Sequence, residues 1–250
     1  MKKILLLTAL ASSFQILHAQ NSGTIIYKET SKLHFNIQGD APPPENLPTE
    51  RNAQMILYFT ADASLYMNDP SIKNDDGIVT DDQSSDGEHI RIKMDAPDNR
   101  TYCDLKNNQR ITQQDFMQRK FLITTDLKKE DWKITGNQKM ILNYPCQEAT
   151  RQDSDKKITV WFTTAIPVST GPSLHCGLPG VVLAVDINNG DQTITATSVS
   201  KEVDASKIQK PTEGKKVTQE EFNKIRDEKM KEMGITPGSG NNVIIKINNH

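Results

Sequence analysis

Ser173, His175 and Cys176 lie within four residues of one another, and a thiolate beside an imidazolium is the pairing that activates a cysteine nucleophile. Neighbouring residues on an extended backbone point to opposite sides, however, so His175 does not ordinarily reach Cys176 as its base. A disulfide or a packing role is the plainer reading of Cys176. No other short motif spells a reaction: Gly-x-Ser-x-Gly, His-Glu-x-x-His and a phosphate-binding loop are all missing. His34, His89, His175 and His250 are scattered, so a metal site built from them would rest on tertiary proximity alone. Met230 and Met233 near His250 would suit soft copper, but methionine at helical spacing is the pattern of packing. Asp75, Asp76, Asp81, Asp82, Asp86 and Glu88 supply hard oxygens without the alternating Asp-x-Asp-x-Asp-Gly loop and closing Glu of a calcium site. The expectation is a chain without catalytic, cofactor-binding or metal-ligating residues.

The cysteines bear on structure as well. Cys103, Cys146 and Cys176 are too far apart for the clustered spacing of a zinc site, and three thiols in an oxidising compartment leave one over. Cys146 follows one strand-like run and Cys176 precedes another, which makes Cys146–Cys176 the leading disulfide candidate, with Cys103–Cys146 as competitor. Closing the first loop stabilises by about 3 to 4 kcal/mol in the chain-entropy account.

Met1–Ala19 has Lys2 and Lys3, an apolar run from Ile4 to Leu10 and a small residue, Ala19, at its end, which is the pattern of a cleaved secretory signal too short to span a bilayer. Export across the inner membrane to the periplasm or the outside follows. Of the 30 basic and 32 acidic residues two lysines belong to that stretch, leaving 28 against 32 and a charge of −4. So weak a charge points to neither nucleic acid nor an anionic membrane surface as partner. No later stretch reaches the roughly 18 apolar residues of a membrane-spanning helix.

The elements that must position these residues are mostly strands. GTIIYKE, KLHFNI, QMILYFT, HIRIKM, RTYCDL, RKFLITT, DWKITG, KMILNY and ITVWFT are short runs rich in β-branched and aromatic side chains, punctuated by turn residues as an antiparallel sheet requires. GDAPPPENLPTE cannot continue a ladder, because proline lacks the N–H, and reads as an extended loop. Between Gln113 and Gln118 a helical turn and a strand are equally compatible with the sequence. The stretch Gly171 to Val199 organises the rest: Gly-Pro elements deliver the apolar VVLAV as a buried strand, glycine permitting φ > 0, and Asn189-Gly190 turns it into QTITATSV. Trp161 and Phe162 fall on opposite faces of their strand. Thr218-Gln219-Glu220-Glu221 is a capping box opening one helix, with Phe222, Ile225 and Met233 on one stripe and Gly234 as its stop. The domain reading is a leader over 1–19, a single β-rich domain over 20–234, and a tail over 235–250 whose Val243 to Ile247 would add an edge strand. The fold class is α+β, predominantly antiparallel: a curved sheet or half-barrel with one or two helices, the clearest near the C-terminus.

Taken together, YPCQEATRQ, ITVWFTTAIPVSTGPSLHCGLPGVVLAV, LYFTADASLY and RKFLITTD…DWKI resemble the GLPGLI family of secreted envelope proteins. The matching positions include Trp132, Tyr144, Cys146, Trp161, Phe162, Pro167 and the run Gly177-Leu178-Pro179-Gly180. Val181 and Val182 stand where the family has Leu-Ile, and Asp155-Lys156 where Gly-Arg is expected. The resemblance implies an exported envelope protein and brings no catalytic residues with it. A looser likeness of fold to half-barrel periplasmic carriers implies an apolar cavity. The functional expectation is an exported, non-enzymatic module for an apolar ligand or an envelope protein partner. A thiol-dependent or hydrolytic enzyme and a metal-binding protein are the alternatives.

Overall fold

The computed structural model describes residues 20–38, 49–72, 81–83, 89–91, 97–127, 130–154, 156–232 and 242–246. The leader, the proline-rich loop, most of the acidic segment, Met233, Gly234 and His250 lie outside the described residues.

In chain order the strands are β1 (Gly23–Lys32), β2 (His34–Gln38), β3 (Glu50–Phe59), β4 (Ala63–Asn68), β5 (Asp81–Gln83), β6 (His89–Arg91), β7 (Arg100–Asp104) and β8 (Gln109–Phe116). They continue with β9 (Arg119–Asp126), β10 (Lys133–Ile141), β11 (Tyr144–Asp153), β12 (Lys156–Thr163), β13 (Val181–Ile187), β14 (Gln192–Ser200), β15 (Lys215–Val217) and β16 (Asn242–Lys246). One α-helix, α1 (Gln219–Glu232), stands between the last two strands. Twelve strands form one sheet in the order β10-β11-β12-β13-β14-β1-β3-β4-β7-β8-β9-β15, antiparallel throughout except where β15 joins β9 in parallel. β16 pairs with β2, and β5 with β6, as separate two-stranded ladders. The protein is thus predominantly antiparallel β with one C-terminal helix among the described residues. No helix among them is long and apolar enough to cross a membrane.

β1 joins the two ends of the sequence at mid-sheet, bonding to β14 on one side and β3 on the other. Its alternation buries Ile25 and Tyr27, which pack with Leu57, Phe59, Phe162, Val181, Val182, Leu183 and Val185 in the main core. Each such fully buried large side chain contributes about 1.5–3 kcal/mol relative to exposure. The segment 164–180 lays Ile166, Val168 and Leu178 into that core, and its carbonyls at Ile166 and Thr170 accept from Val181 and Val182 at 3.0 Å each. As expected, VVLAV is the buried strand, and Asn188, Asn189 and Gly190 turn it with φ of 54°, 55° and 98°. Phe162 is fully buried while Trp161 sits at the core's edge beneath the Lys139 ammonium, 4.1 Å from its ring centroid.

The glycines of the bend act differently from the expectation. Gly177 alone has a positive φ, +89°. At Gly171 a Cβ would lie 2.3 Å from the His175 carbonyl oxygen, and at Gly180 it would lie 2.0 Å from that of Thr163. These two positions exclude a side chain because backbone passes against them. The Gln113–Gln118 ambiguity resolves as strand: β8 runs to Phe116 and turns through Met117 and Gln118 at φ of 52° and 59°. The KITG of DWKITG and the KMI of KMILNY are parts of one bulged strand, β10, whose residues 133–140 are exposed on both faces, and Tyr144 opens β11. The capping box forms as read, Thr218 Oγ1 accepting from the Glu221 amide at 3.1 Å and the Glu221 carboxylate from the Thr218 amide at 2.9 Å. Phe222 then packs edge-on against Phe121 and Phe116, which fixes the helix on β9.

Candidate functional site

The bend at 171–180 supplies side chains to two places. Ser173, held at φ 54°, and Leu174 reach a cavity of about 390 Å³ bounded by strands from β14 across to β9 and by α1. Ser64 Oγ and Thr170 Oγ1, 2.7 Å apart and buried, tie the bend to β4.

At the inner wall of that cavity stands Glu29 of β1. Its carboxylate accepts from Gln192 Nε2 at 2.8 Å and from the Tyr66 hydroxyl at 3.3 Å. Burial raises its pKa, against the opposing pull of those two hydrogen bonds and of the Arg51 charge. Tyr66 is held in turn by an edge contact with Tyr27, 6.0 Å between centroids, whose own hydroxyl donates to the Val182 carbonyl at 2.7 Å. Asn68, Asn99 and Gln114 add planar amides, Arg51 and Arg226 add guanidinium groups, and Phe116 and Phe222 add aromatic surface. Among the lining residues Glu29 is the single carboxylate. The arrangement is that of a hydrogen-bonding pocket.

On the other side of the bend, Cys176 meets Cys103 of β7 and Arg110 of β8. The register pairs Cys103 with Arg110, so the guanidinium lies beside both thiols; Arg110 Nη2 donates to Cys176 Sγ at 3.1 Å and to the Leu174 carbonyl at 3.2 Å. The Cys103 thiol hydrogen-bonds to Cys176, which lowers Cys176 to about 6, Arg110 adding to the effect, and raises Cys103. The indole of Trp132 donates to the Cys176 carbonyl at 3.0 Å, and Arg151, ion-paired to Glu130, lies over the Trp132 ring at 4.9 Å. His175 is buried, its Nδ1 has no partner among the described residues, and burial with the nearby Arg151 and Arg110 charges lowers its pKa to about 3. It is a neutral core histidine.

All three cysteines are free thiols, which corrects the expected disulfide. Cys146 belongs to the main core, donating to the Tyr144 carbonyl at 3.4 Å, and burial raises its thiol to about 11. Cys176 faces the opposite way along the sheet, toward β7. Both proposed pairs therefore fail on the placement of Cys146. The Cys103–Arg110 neighbourhood was missed, although a hairpin closed by Leu105 to Asn108 puts these two opposite each other on register counting alone. Glu29, Tyr66 and Gln192 left no such local signal. Leu178 is buried in the core, Gly177 and Gly180 serve the bend, and Pro179 and Trp161 line neither place.

The family model described as N-glycanase peptide, N-terminal domain, matches residues 58–226. Two solved structures of PNGF-II, in the P21 and C2 space groups, superpose with TM-scores of 0.53 and 0.54 at 21% and 20% identity. They cover 82% of this chain in each case and 33% and 32% of the PNGF-II chain, so this chain spans about a third of their length. At that identity the likeness speaks to fold. No curated protein matches. The match replaces the GLPGLI assignment. The residues that suggested GLPGLI, above all Gly171 and Gly177–Gly180, are demanded by a chain that bends hard against the end of β12 and the start of β13, a packing need that is not peculiar to one family.

Proposed function

The chain belongs to the N-glycanase peptide, N-terminal domain family, and from that membership together with the cavity around Glu29 we propose that it is an exported, non-catalytic module that binds saccharide. The leader-like sequence of Met1–Ala19 supports export. Its sheet curves as a half-barrel about α1, and the cavity on its inner side is the binding site.

The carrying observation is the chemistry of the lining. A sugar ring presents hydroxyls around its edge and C–H groups on its faces. Planar amides, a carboxylate and guanidinium groups meet the former, and Tyr66, Phe116 and Phe222 meet the latter. So polar a wall favours saccharide over the apolar ligand expected from the sequence. Glu29, held by Gln192 and Tyr66, is already oriented in the free protein, so little ordering cost attends binding.

Calorimetric titration of the exported chain with N,N′-diacetylchitobiose and with free N-glycan oligosaccharides tests the reading. Saccharide binding is expected, weakened about tenfold by Glu29→Gln and by Tyr66→Phe, the worth of about one hydrogen bond each. Native mass spectrometry showing a retained lipid, with no saccharide bound at millimolar concentration, overturns it.

A further inference from the structure

The pair Cys103–Cys176 is a second cluster that the saccharide site does not use. We infer that Cys103 and Cys176 form a two-coordinate site for a soft monovalent cation, cuprous copper, with Arg110 as its charge-balancing neighbour.

Donor number limits the choice of ion. Cys103 lies opposite Arg110 in the β7–β8 register and Cys176 Sγ lies 3.1 Å from Arg110 Nη2, so the two thiols share one guanidinium, and no group of three or more His, Cys, Asp or Glu gathers among the described residues to hold a metal. Zinc at a structural site takes four ligands and is not served by two. A monovalent d10 ion is content with two, and thiolate is the ligand class that selects cuprous copper. Charge gives the same answer. Two thiolates and one monovalent cation leave a single negative charge, and Arg110 stands against it with Nη2 at 3.1 Å from Cys176 Sγ, while the neighbouring Arg151 is already ion-paired with Glu130. A divalent ion would leave a neutral complex beside an uncompensated buried arginine.

Access is also provided. Cys176 lines a surface cleft of about 660 Å³ whose wall mixes Leu105, Pro167 and Val168 with Asn21, Asn108 and Ser169. The ion has a route to the Cys176 sulfur through this cleft. Two sulfur–copper bonds form on binding; the protons still held by the thiols pass to solvent, and no electron is transferred, copper entering and remaining cuprous. His175 and Cys146 are excluded, the first by its place in the core and the second by its place on β11.

The test is an anaerobic titration of the reduced exported chain with cuprous ion, supplied as its acetonitrile complex, in competition with a chromogenic cuprous chelator. One equivalent is expected to resist the chelator in wild type and in Cys146→Ser, and none in Cys103→Ser or Cys176→Ser. Arg110→Gln is expected to weaken binding at least tenfold with the stoichiometry kept. X-ray absorption on loaded wild type, which needs no variant to fold, is expected to show two sulfur neighbours. A shell of nitrogen or oxygen donors, three sulfurs, retention of copper by Cys103→Ser, or no binding by the reduced chain overturns the inference. So does protein from its host in which these two cysteines are covalently joined to each other. Saccharide titration of the same preparations separates this result from the fate of the Glu29 cavity.

Discussion

Several side chains here carry roles set by their immediate surroundings. His175 is the clearest, because its imidazole is buried beside the Arg151 and Arg110 charges and stays neutral down to about pH 3. In the unfolded chain the same group titrates near 6.5. Between these values the unfolded state binds a proton that the folded state refuses, so its contribution to stability is present above about pH 6.5 and is lost as pH falls toward 3. The slope is about 1.4 kcal/mol per pH unit at most. His175→Leu removes that proton and leaves the imidazole's unpartnered Nδ1 out of the core. Urea unfolding at pH 7.5 and pH 4.5 is expected to show the variant losing less stability than wild type between the two, by about 2 to 3 kcal/mol. Equal losses would place the imidazole in water. The sequence could not display this, since a histidine next to a cysteine invites a catalytic reading and only the packing of β7, β8 and the bend decides otherwise.

Elements were legible where the signal was local. Thr218 and Glu221 announce the start of α1, and Asn188–Gly190 announce the hairpin that the buried β13 enters, because each motif satisfies its own backbone. The Met117–Gln118 turn was not legible, as two ordinary L-residues occupy positive φ there and nothing but the register of β8 with β9 demands it. The cavity around Glu29 was not legible for the same reason on a larger scale: Glu29 meets partners 37 and 163 residues away. The bend allows a discriminating measurement. A methyl at Gly180 would stand 2.0 Å from the Thr163 carbonyl oxygen, so backbone must move and the Thr163–Val181 pairing with it. A methyl at Gly177 meets nothing nearer than 3.8 Å and suffers only from φ of +89°. Gly180→Ala is expected to destabilise by about 2–4 kcal/mol and Gly177→Ala by about 1 kcal/mol in chemical denaturation. The reverse order would mean that conformation, not close approach, dictates the glycines here.

At the scale of the whole molecule, the position of β1 decides what can fold alone. The segment matched to the family begins at residue 58, yet β1 and nearly all of β3 precede it. Those strands lie mid-sheet, with β14 on one side and β4 on the other, so their removal splits the twelve-stranded sheet rather than trimming an edge. Ile194 and Ala196 of β14 and Leu65 and Tyr66 of β4 would lose the ladder between them, along with the Ile25, Tyr27 and Leu57 side chains that pack the core. Two unpaired edges with exposed apolar faces would then remain in one chain, a recipe for association. β1 also makes contacts far along the sequence, such as Thr197 to Ile26, 171 residues apart, so the ladder at mid-sheet forms only when β1 and β14 are both present. A chain of residues 20–250 is expected to unfold in one cooperative transition. A chain of 58–226 is expected to show none and to aggregate, and a peptide of residues 20–57 added in trans is expected to restore soluble, cooperative material. Independent cooperative unfolding of the 58–226 chain would mean that the sheet divides into separately stable halves and that β1 is an accessory to them.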